Sequence, residues 1–312
     1  MNTCEISVSA ERCVKCGQCV YVCPANIFSV VPESQEMLPV VSGEGACIQC
    51  GHCVAVCPGD AISHSSFRVE QEAKGFSVAR SITSGESMIS PLKEAESPSW
   101  EEFRKVVCSR RSVRVFQNKP VERENLAKIV ECGQIAPSAT NRRGTFWTVI
   151  TNSVVLREIV QLTEEFLEKS CKKLHSLPAK IIASCCPESE VAVYRSKLSG
   201  METLLKVSKK RDMVLHNAPA LLIAHYDKKD GRFADPDAQL AIQNATLAAV
   251  ALGLGTFYTG FVTRAADSDP RIAKAISVPS DHKIAGGMVV GYPAVKYRYA
   301  IYREYPSVMW IE

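Results

Sequence analysis

Along the second half of the chain, apolar residues recur first at helical and then at strand spacing. "ENLAKIVECGQIA" places Leu126, Ile129, Val130 and Gly133 on one face of a helix. "TFWTVIT" (145–151) reads as a strand, "VVLREIVQLTEEFLEKSCKKL" (154–174) as a helix, and "APALLIAHY" (218–226) as a buried strand. "DPDAQLAIQNATLAAVAL" reads as a helix with Asp235 as N-cap, Pro236 at the first helical position and a stop at Gly253. "IAGGMVVGYP" (284–293) is a further strand. Upstream, "SWEEF" forms a capping box of Ser99 and Glu102 ahead of Phe103, Val106 and Val107. Alternating strands and helices over roughly 200 residues predict a layered domain of the α+β or α/β kind.

The first hundred residues lack this rhythm. Residues 65–98, rich in Ser, Glu and Gly, read as a linker. The expected division is a front domain over 1–64, a linker over 65–98 and a second domain over 99–312.

Composition narrows the class. Hydrophobic residues make up 46% and charged residues 22%, ordinary for a chain that buries a core. The net charge of +4 is modest, and "SKKR" (208–211) and "SRRSVR" (109–114) are too short to mark a nucleic-acid tail. No apolar run reaches about 18 residues; the nearest, "LAIQNATLAAVALGLGTFYTGF", is broken by Gln, Asn and Thr. The opening "MNTCEISVSAERC" does not read as a signal peptide. A cytoplasmic chain with fourteen cysteines is expected to spend them on metal rather than on disulfides.

Eight of the fourteen fall in two copies of C-x2-C-x2-C-x3-C-P, offset by 34 residues. The copies are Cys13, Cys16, Cys19, Cys23-Pro24 and Cys47, Cys50, Cys53, Cys57-Pro58. This spacing is the bacterial ferredoxin pattern for two [4Fe–4S] clusters. Three thiolates on a tight loop grip one cube, and the fourth, opening a short helix, reaches the other. The expected ligand sets are therefore crossed: Cys13, Cys16, Cys19 and Cys57 against Cys47, Cys50, Cys53 and Cys23. Gly17 and Gly51 let the backbone curl close to sulfide. Zinc sites carry paired C-x2-C motifs with a longer spacer and fit less well. His52 lacks the C-x-x-C-H context of a haem site and reads as a bystander.

Several signatures are missing. There is no G-x-G-x-x-G, no P-loop (Phe261 and Val262 replace its Lys and Ser/Thr), no G-x-S-x-G and no H-E-x-x-H. Instead "SRRSVRVF" groups Arg110, Arg111, Ser112 and Arg114, a donor set suited to a phosphate.

Together with "APSATNRRGTFW" (136–147), "GLGTFYTGF" (253–261) and "GYPAVKYRYAIYREYP" (291–306), in this order, that stretch resembles the nitroreductase family of FMN flavoproteins. The resemblance covers about residues 100–312. With the front module the chain looks like the subgroup fused to a two-cluster ferredoxin domain. The implied fold is a ferredoxin-like 2[4Fe–4S] module followed by a nitroreductase-like three-layer α/β/α domain, α+β overall.

The resemblance also implies site residues. Arg110, Arg111, Ser112 and Arg114 would hold the FMN phosphate and ribityl end. Pro137, Ser138 and Asn141 would line the flavin ring. Tyr258, Thr259 and Gly260 would lay backbone against flavin N5. Arg303, with Arg298 as second candidate, would meet the phosphate from the tail. Many members read N-x-Q-P-W where this chain has Asn141-Arg142-Arg143-Gly144-Thr145, so the wall there should differ. The two added arginines suit an anionic substrate or a ferredoxin-side carboxylate, or are plain surface charge.

The expected function is an FMN-dependent oxidoreductase, homodimeric by resemblance. Its two clusters would relay single electrons to FMN for reduction of a nitro compound, quinone or activated alkene. An external donor, a ferredoxin or an NAD(P)H-linked protein, would feed it. The alternatives are reverse flow, with FMN oxidising NAD(P)H or a substrate, and a non-catalytic carrier or sensor. No catalytic acid or base stands out. Residues 160–215, including adjacent Cys185 and Cys186, would cover the flavin. Cys4, Cys108, Cys132 and Cys171 read as packing residues, and His216 as a core histidine.

Overall fold

The computed structural model describes residues 4–30, 38–42, 46–69, 87–89, 99–176, 188–298 and 306–312. Two compact units emerge: Met1–Ser97 with Ser138–Arg142, and Pro98–Pro137 with Arg143–Glu312.

In the first unit, β1 (Ile6–Val8) pairs antiparallel with β4 (Ile62–His64), and β2 (Phe28–Val30) with β3 (Pro39–Val41). Helices α1 (Gln18–Val22) and α2 (His52–Ala55) each follow a cysteine loop. The 34-residue repeat is visible in the backbone. Lys15 and Gln49, Gly17 and Gly51, and Asn26 and Asp60 all take positive φ at matching positions. Gly17 and Gly51 sit at the helix N-caps at φ 69° and 74°, where a Cβ would be strained. Ile6, Ile27, Phe28, Val54 and Ile62 form the core together with Cys4, Cys19 and Cys53.

The stretch read as a linker is not featureless. Its β5 (Phe67–Val69) pairs in parallel with β6 (Ser87–Ile89). Three-residue strands are too short for alternation to show in sequence.

The second unit is built on a four-stranded sheet. Its strands are β7 (Phe146–Ile150), β8 (Ala220–Asp227), β9 (Gly255–Tyr258) and β10 (His282–Gly291), in the order β7-β8-β10-β9, all neighbours antiparallel. Strand β8 is buried on both faces, which is why it reads as a continuous apolar run. Successive side chains enter opposite cores. Leu221, Ile223 and Val289 join Leu156, Ile159 and Leu162 of α5 (Ser153–His175), Val262 and Ala265 of α8 (Gly260–Ser268), and Ile272 of α9 (Pro270–Ala275). Ala220, Leu222, Met288 and Val290 face Leu126 and Ile129 of α4 (Arg123–Gln134) and Ala245 and Ala249 of α7 (Ala234–Ala251). Helices therefore cover both faces, giving three layers. Each fully buried Ile or Leu contributes roughly 1.5–3 kcal/mol.

Helix α3 (Trp100–Ser109) carries the expected capping box, with Ser99 and Glu102 bonded reciprocally. Helix α7 starts two residues earlier than expected. Phe233 is the N-cap, so Asp235 and Pro236 both lie in the first turn, where carboxylates favour the helix dipole. It ends at Leu252 with Gly253 left-handed at φ 74°. Helix α6 (Glu188–Ser208) follows α5; the Cys185-Cys186 pair lies outside the described residues. No helix among the described residues is long and apolar enough to cross a membrane.

Candidate functional site

The eight repeated cysteines line two cavities. One is bounded by Cys13, Cys16, Cys19 and Cys57. The other is bounded by Cys23, Cys47, Cys50 and Cys53. Each cavity takes three cysteines of one run and the fourth of the other. Each fourth cysteine ends its own helix region and turns its sulfur toward the other loop.

Burial pushes the Cys53 thiol up to about 11, and raises Cys19 and Cys47 as well. Apolar walls therefore oppose thiolates here unless a cation offsets the charge, as iron would. Backbone N–H groups point at several sulfurs: Ala61 to Cys57 at 3.2 Å and Gln49 to Cys47 at 3.4 Å. Two cavities, each walled by four thiols with N–H donors nearby, fit [4Fe–4S] clusters.

Two features here escaped the sequence. His64, 4% exposed, places Nε2 3.5 Å from Cys47 Sγ. Cys4, read as packing and buried, groups with the half-buried Cys47 and with His64. Comparing the two repeats position by position would have raised both, since neither recurs 34 residues away. His52 lies on the rim of the second cavity and is exposed.

Ser138–Arg142 groups with this first unit. Thr140 and Asn141 both take positive φ, a strained conformation that Asn tolerates better than most residues. The Asn141 carboxamide donates from Nδ2 to the carbonyls of Ile48 at 3.1 Å and Gln49 at 2.8 Å, between Cys47 and Cys50. Within the first unit, then, Asn141 holds a cysteine loop. Arg142 and Arg143 are exposed.

In the second unit, three of the expected stretches converge. Ser112 forms a parallel bridge with Thr256, and Val113 N–H donates to the Thr256 carbonyl at 2.9 Å. An added Cβ on Gly255 would meet Val113 Cγ2 at 2.8 Å, so the two segments lie in close contact. The Arg114 guanidinium stacks 4.5 Å above the Phe257 ring. Beyond it, Gln117 N–H donates to Tyr292 and Ala294 N–H to Val115, each at 2.8–2.9 Å. That contact brings the start of the tail alongside.

Within this group Arg111 donates Nη1 to the carbonyls of Cys108 and Arg110, capping the end of α3. Ser112 and Arg114 are exposed, as is Arg298 farther along the tail. Arg303 lies outside the described residues. Pro137 is exposed at the end of the α4 connection.

Tyr258, Thr259 and Gly260 form the turn from β9 into α8. Thr259 N–H donates to the Gly287 carbonyl at 2.9 Å, while its buried Oγ1 has no partner among the described residues. Tyr258 OH donates to Gln239 Oε1 at 3.1 Å, and Gln239 Nε2 donates to the Ala285 carbonyl at 2.8 Å. The Ser112 hydroxyl and the forked donors of Arg110 and Arg114, on a segment pinned to β9, suit a phosphate monoester. His216, half-buried, packs edge-on against Phe257 at 5.0 Å.

Comparison with known proteins agrees with this layout. The nitroreductase family model matches residues 107–292, and the 4Fe-4S dicluster domain model matches residues 12–62. A curated protein of Methanothermobacter thermautotrophicus, described as a putative NADH dehydrogenase/NAD(P)H nitroreductase, is 25% identical over 189 residues, 60% of this chain and 75% of that protein. Among solved structures, an FMN-bound nitroreductase from Desulfitobacterium hafniense superposes with a TM-score of 0.52 at 19% identity. It covers 67% of this chain and 98% of its own. An FMN-bound nitroreductase from Bacteroides fragilis gives 0.50 at 21% identity, with the same coverage. These likenesses show the fold. With the family model spanning more than half of its residues, the chain belongs to the nitroreductase family and is an oxidoreductase of that family with a 4Fe–4S domain at its front.

Proposed function

We propose that the chain is an FMN-dependent oxidoreductase with two [4Fe–4S] clusters, reducing a small electrophile such as a nitro compound, quinone or activated alkene. Clusters exchange one electron at a time and a flavin holds one or two, so the pair supplies conversion between single-electron and two-electron chemistry. The observation that carries this reading is the convergence of Arg110–Arg114 on β9, in a chain whose eight repeated cysteines line two cavities.

The chain's own residues have defined tasks under this reading. Cys13, Cys16, Cys19 and Cys57 hold one cluster; Cys47, Cys50, Cys53 and Cys23 hold the other. Arg110, Ser112 and Arg114 take the phosphate, with Arg298 or Arg303 closing from the tail. The Thr259–Gly260 turn, tied to Gly287, presents its backbone to the ring. The Tyr258 hydroxyl is spoken for by Gln239, so its role is to brace that turn.

A homodimer fits the surface of α3, which buries no residue. Trp100, Phe103 and Val107 stay 68%, 50% and 43% exposed along it.

The test is anaerobic purification followed by iron and FMN assay, then stopped-flow mixing with reduced ferredoxin and with NAD(P)H. The reading expects about eight irons and one FMN per chain, with fast flavin reduction by one donor. Flavin reduced by substrate, with the clusters reduced after it, would reverse the direction. Clusters without stoichiometric flavin would mark a carrier or sensor.

A further inference from the structure

We propose that His64 makes the two clusters unequal, donating its Nε2–H to the sulfur of Cys47 and so raising the reduction potential of the cluster held by Cys23, Cys47, Cys50 and Cys53. The inference rests on the two-cluster reading.

The tautomer follows from the ring's other nitrogen. Ser66 N–H points at His64 Nδ1 at 3.1 Å. A backbone N–H only donates, so Nδ1 must offer its lone pair. In the neutral ring the proton then sits on Nε2, 3.5 Å from Cys47 Sγ. The ring is held in place: His64 pairs with Ile6 across β1 and β4, and Phe67 packs edge-on against it at 4.9 Å. At 4% exposure, water does not compete for that proton.

The repeat shows that this donor belongs to one site alone. The residue 34 positions before His64 is Val30, at the end of β2 as His64 is at the end of β4. Valine has no proton to give. Cys4, whose thiol approaches Cys47, likewise has Leu38 as its counterpart. The chain repeats its cysteines, helix-cap glycines and positive-φ positions, yet His64 and Cys4 have no like residue 34 positions away, and both meet Cys47.

The direction follows from charge. Reduction adds negative charge to the cluster and its thiolates. A donor aimed at a thiolate therefore stabilises the reduced form more than the oxidised one. Electrons shared between the clusters settle on the His64 side.

The test is an EPR-monitored redox titration of the full-length holoprotein, comparing wild type with His64→Leu and His64→Gln. In His64→Leu one of the two one-electron steps should move to lower potential. The expected size is about tenfold in the reduced-to-oxidised ratio at fixed potential, equivalent to about 59 mV. The other step should stay in place, and His64→Gln, which keeps an N–H donor, should recover most of the shift. Iron-loaded protein in which neither step moves, or both move together, would overturn the assignment.

Should His64→Leu fail to assemble that cluster, pulsed EPR of 15N-histidine-labelled protein in a His52→Gln background decides. Weak histidine nitrogen coupling in one reduced signal supports the donor; coupling in neither signal overturns it. A holoprotein without iron would overturn the cluster reading and this inference with it.

Discussion

Arg114 lays its guanidinium 4.5 Å above the ring of Phe257, joining two motifs that are far apart in sequence. The stack aligns the arginine beside β9, and its Nη1 donates to the Ser112 carbonyl at 3.2 Å. Hydrogen bonds to charged groups are worth about 1.5–3 kcal/mol. Arg114→Ala should therefore weaken FMN binding at least about tenfold. Flavin released on denaturation measures this, and the iron absorption should be unchanged.

Asn141 predicts an effect on iron. Asn141→Ala removes two donations to the loop between Cys47 and Cys50, a cost of about 1–2 kcal/mol. One cluster should then bleach faster under chelator, several-fold. Asn141→Asp should bleach faster still, because a carboxylate oxygen would face the carbonyls of Ile48 and Gln49. Equal rates for all three proteins would show that the clamp is inert.

His225 predicts acid sensitivity. It is 5% exposed, bonds Thr148 Oγ1 through Nε2 at 3.2 Å, and meets His282 Nδ1 at 2.8 Å, with Phe146 stacked alongside. Burial, then the neighbouring His282, lowers its pKa from 6.5 to about 4. The folded state thus keeps the ring neutral where the unfolded chain would protonate it. Stability from this residue is complete above pH 6.5 and is lost as pH falls toward 4, about 3 kcal/mol in all. Denaturant titrations between pH 4 and 7 should show a slope that His225→Gln flattens.

Gly287 predicts a packing penalty. A Cβ there would stand 2.8 Å from the Leu222 carbonyl and 2.5 Å from Ile223 Cδ1. Backbone cannot yield as a side-chain tip does, so Gly287→Ala should cost about 1–3 kcal/mol. The Thr259–Gly287 bond would be disturbed too, so thermal melting and flavin content should fall together.

Much of this was legible in the residues. Cysteine spacing implied which four sulfurs share a cavity, because each run is a rigid local loop of fixed reach. Apolar periodicity located β8, β10, α5 and α7, whose burial on one or both faces leaves a strong repeat. The short pair β5–β6 left no such trace. The start of α7 was misplaced by two residues, because Asp and Pro in the first turn look much like a cap and the residue after it.

Local chemistry, then, could be read from the chain: ligand spacing, caps, core faces and the basic stretch at Arg110–Arg114 depend on neighbours a few residues away. Contacts between distant residues could not. That Ser112 lies along Thr256, that Asn141 reaches Ile48, that His64 aims at Cys47 and that His225 meets His282 depend on how strands pair and segments pack. Such pairings come from burial summed over the whole core, and no short window of sequence contains that sum.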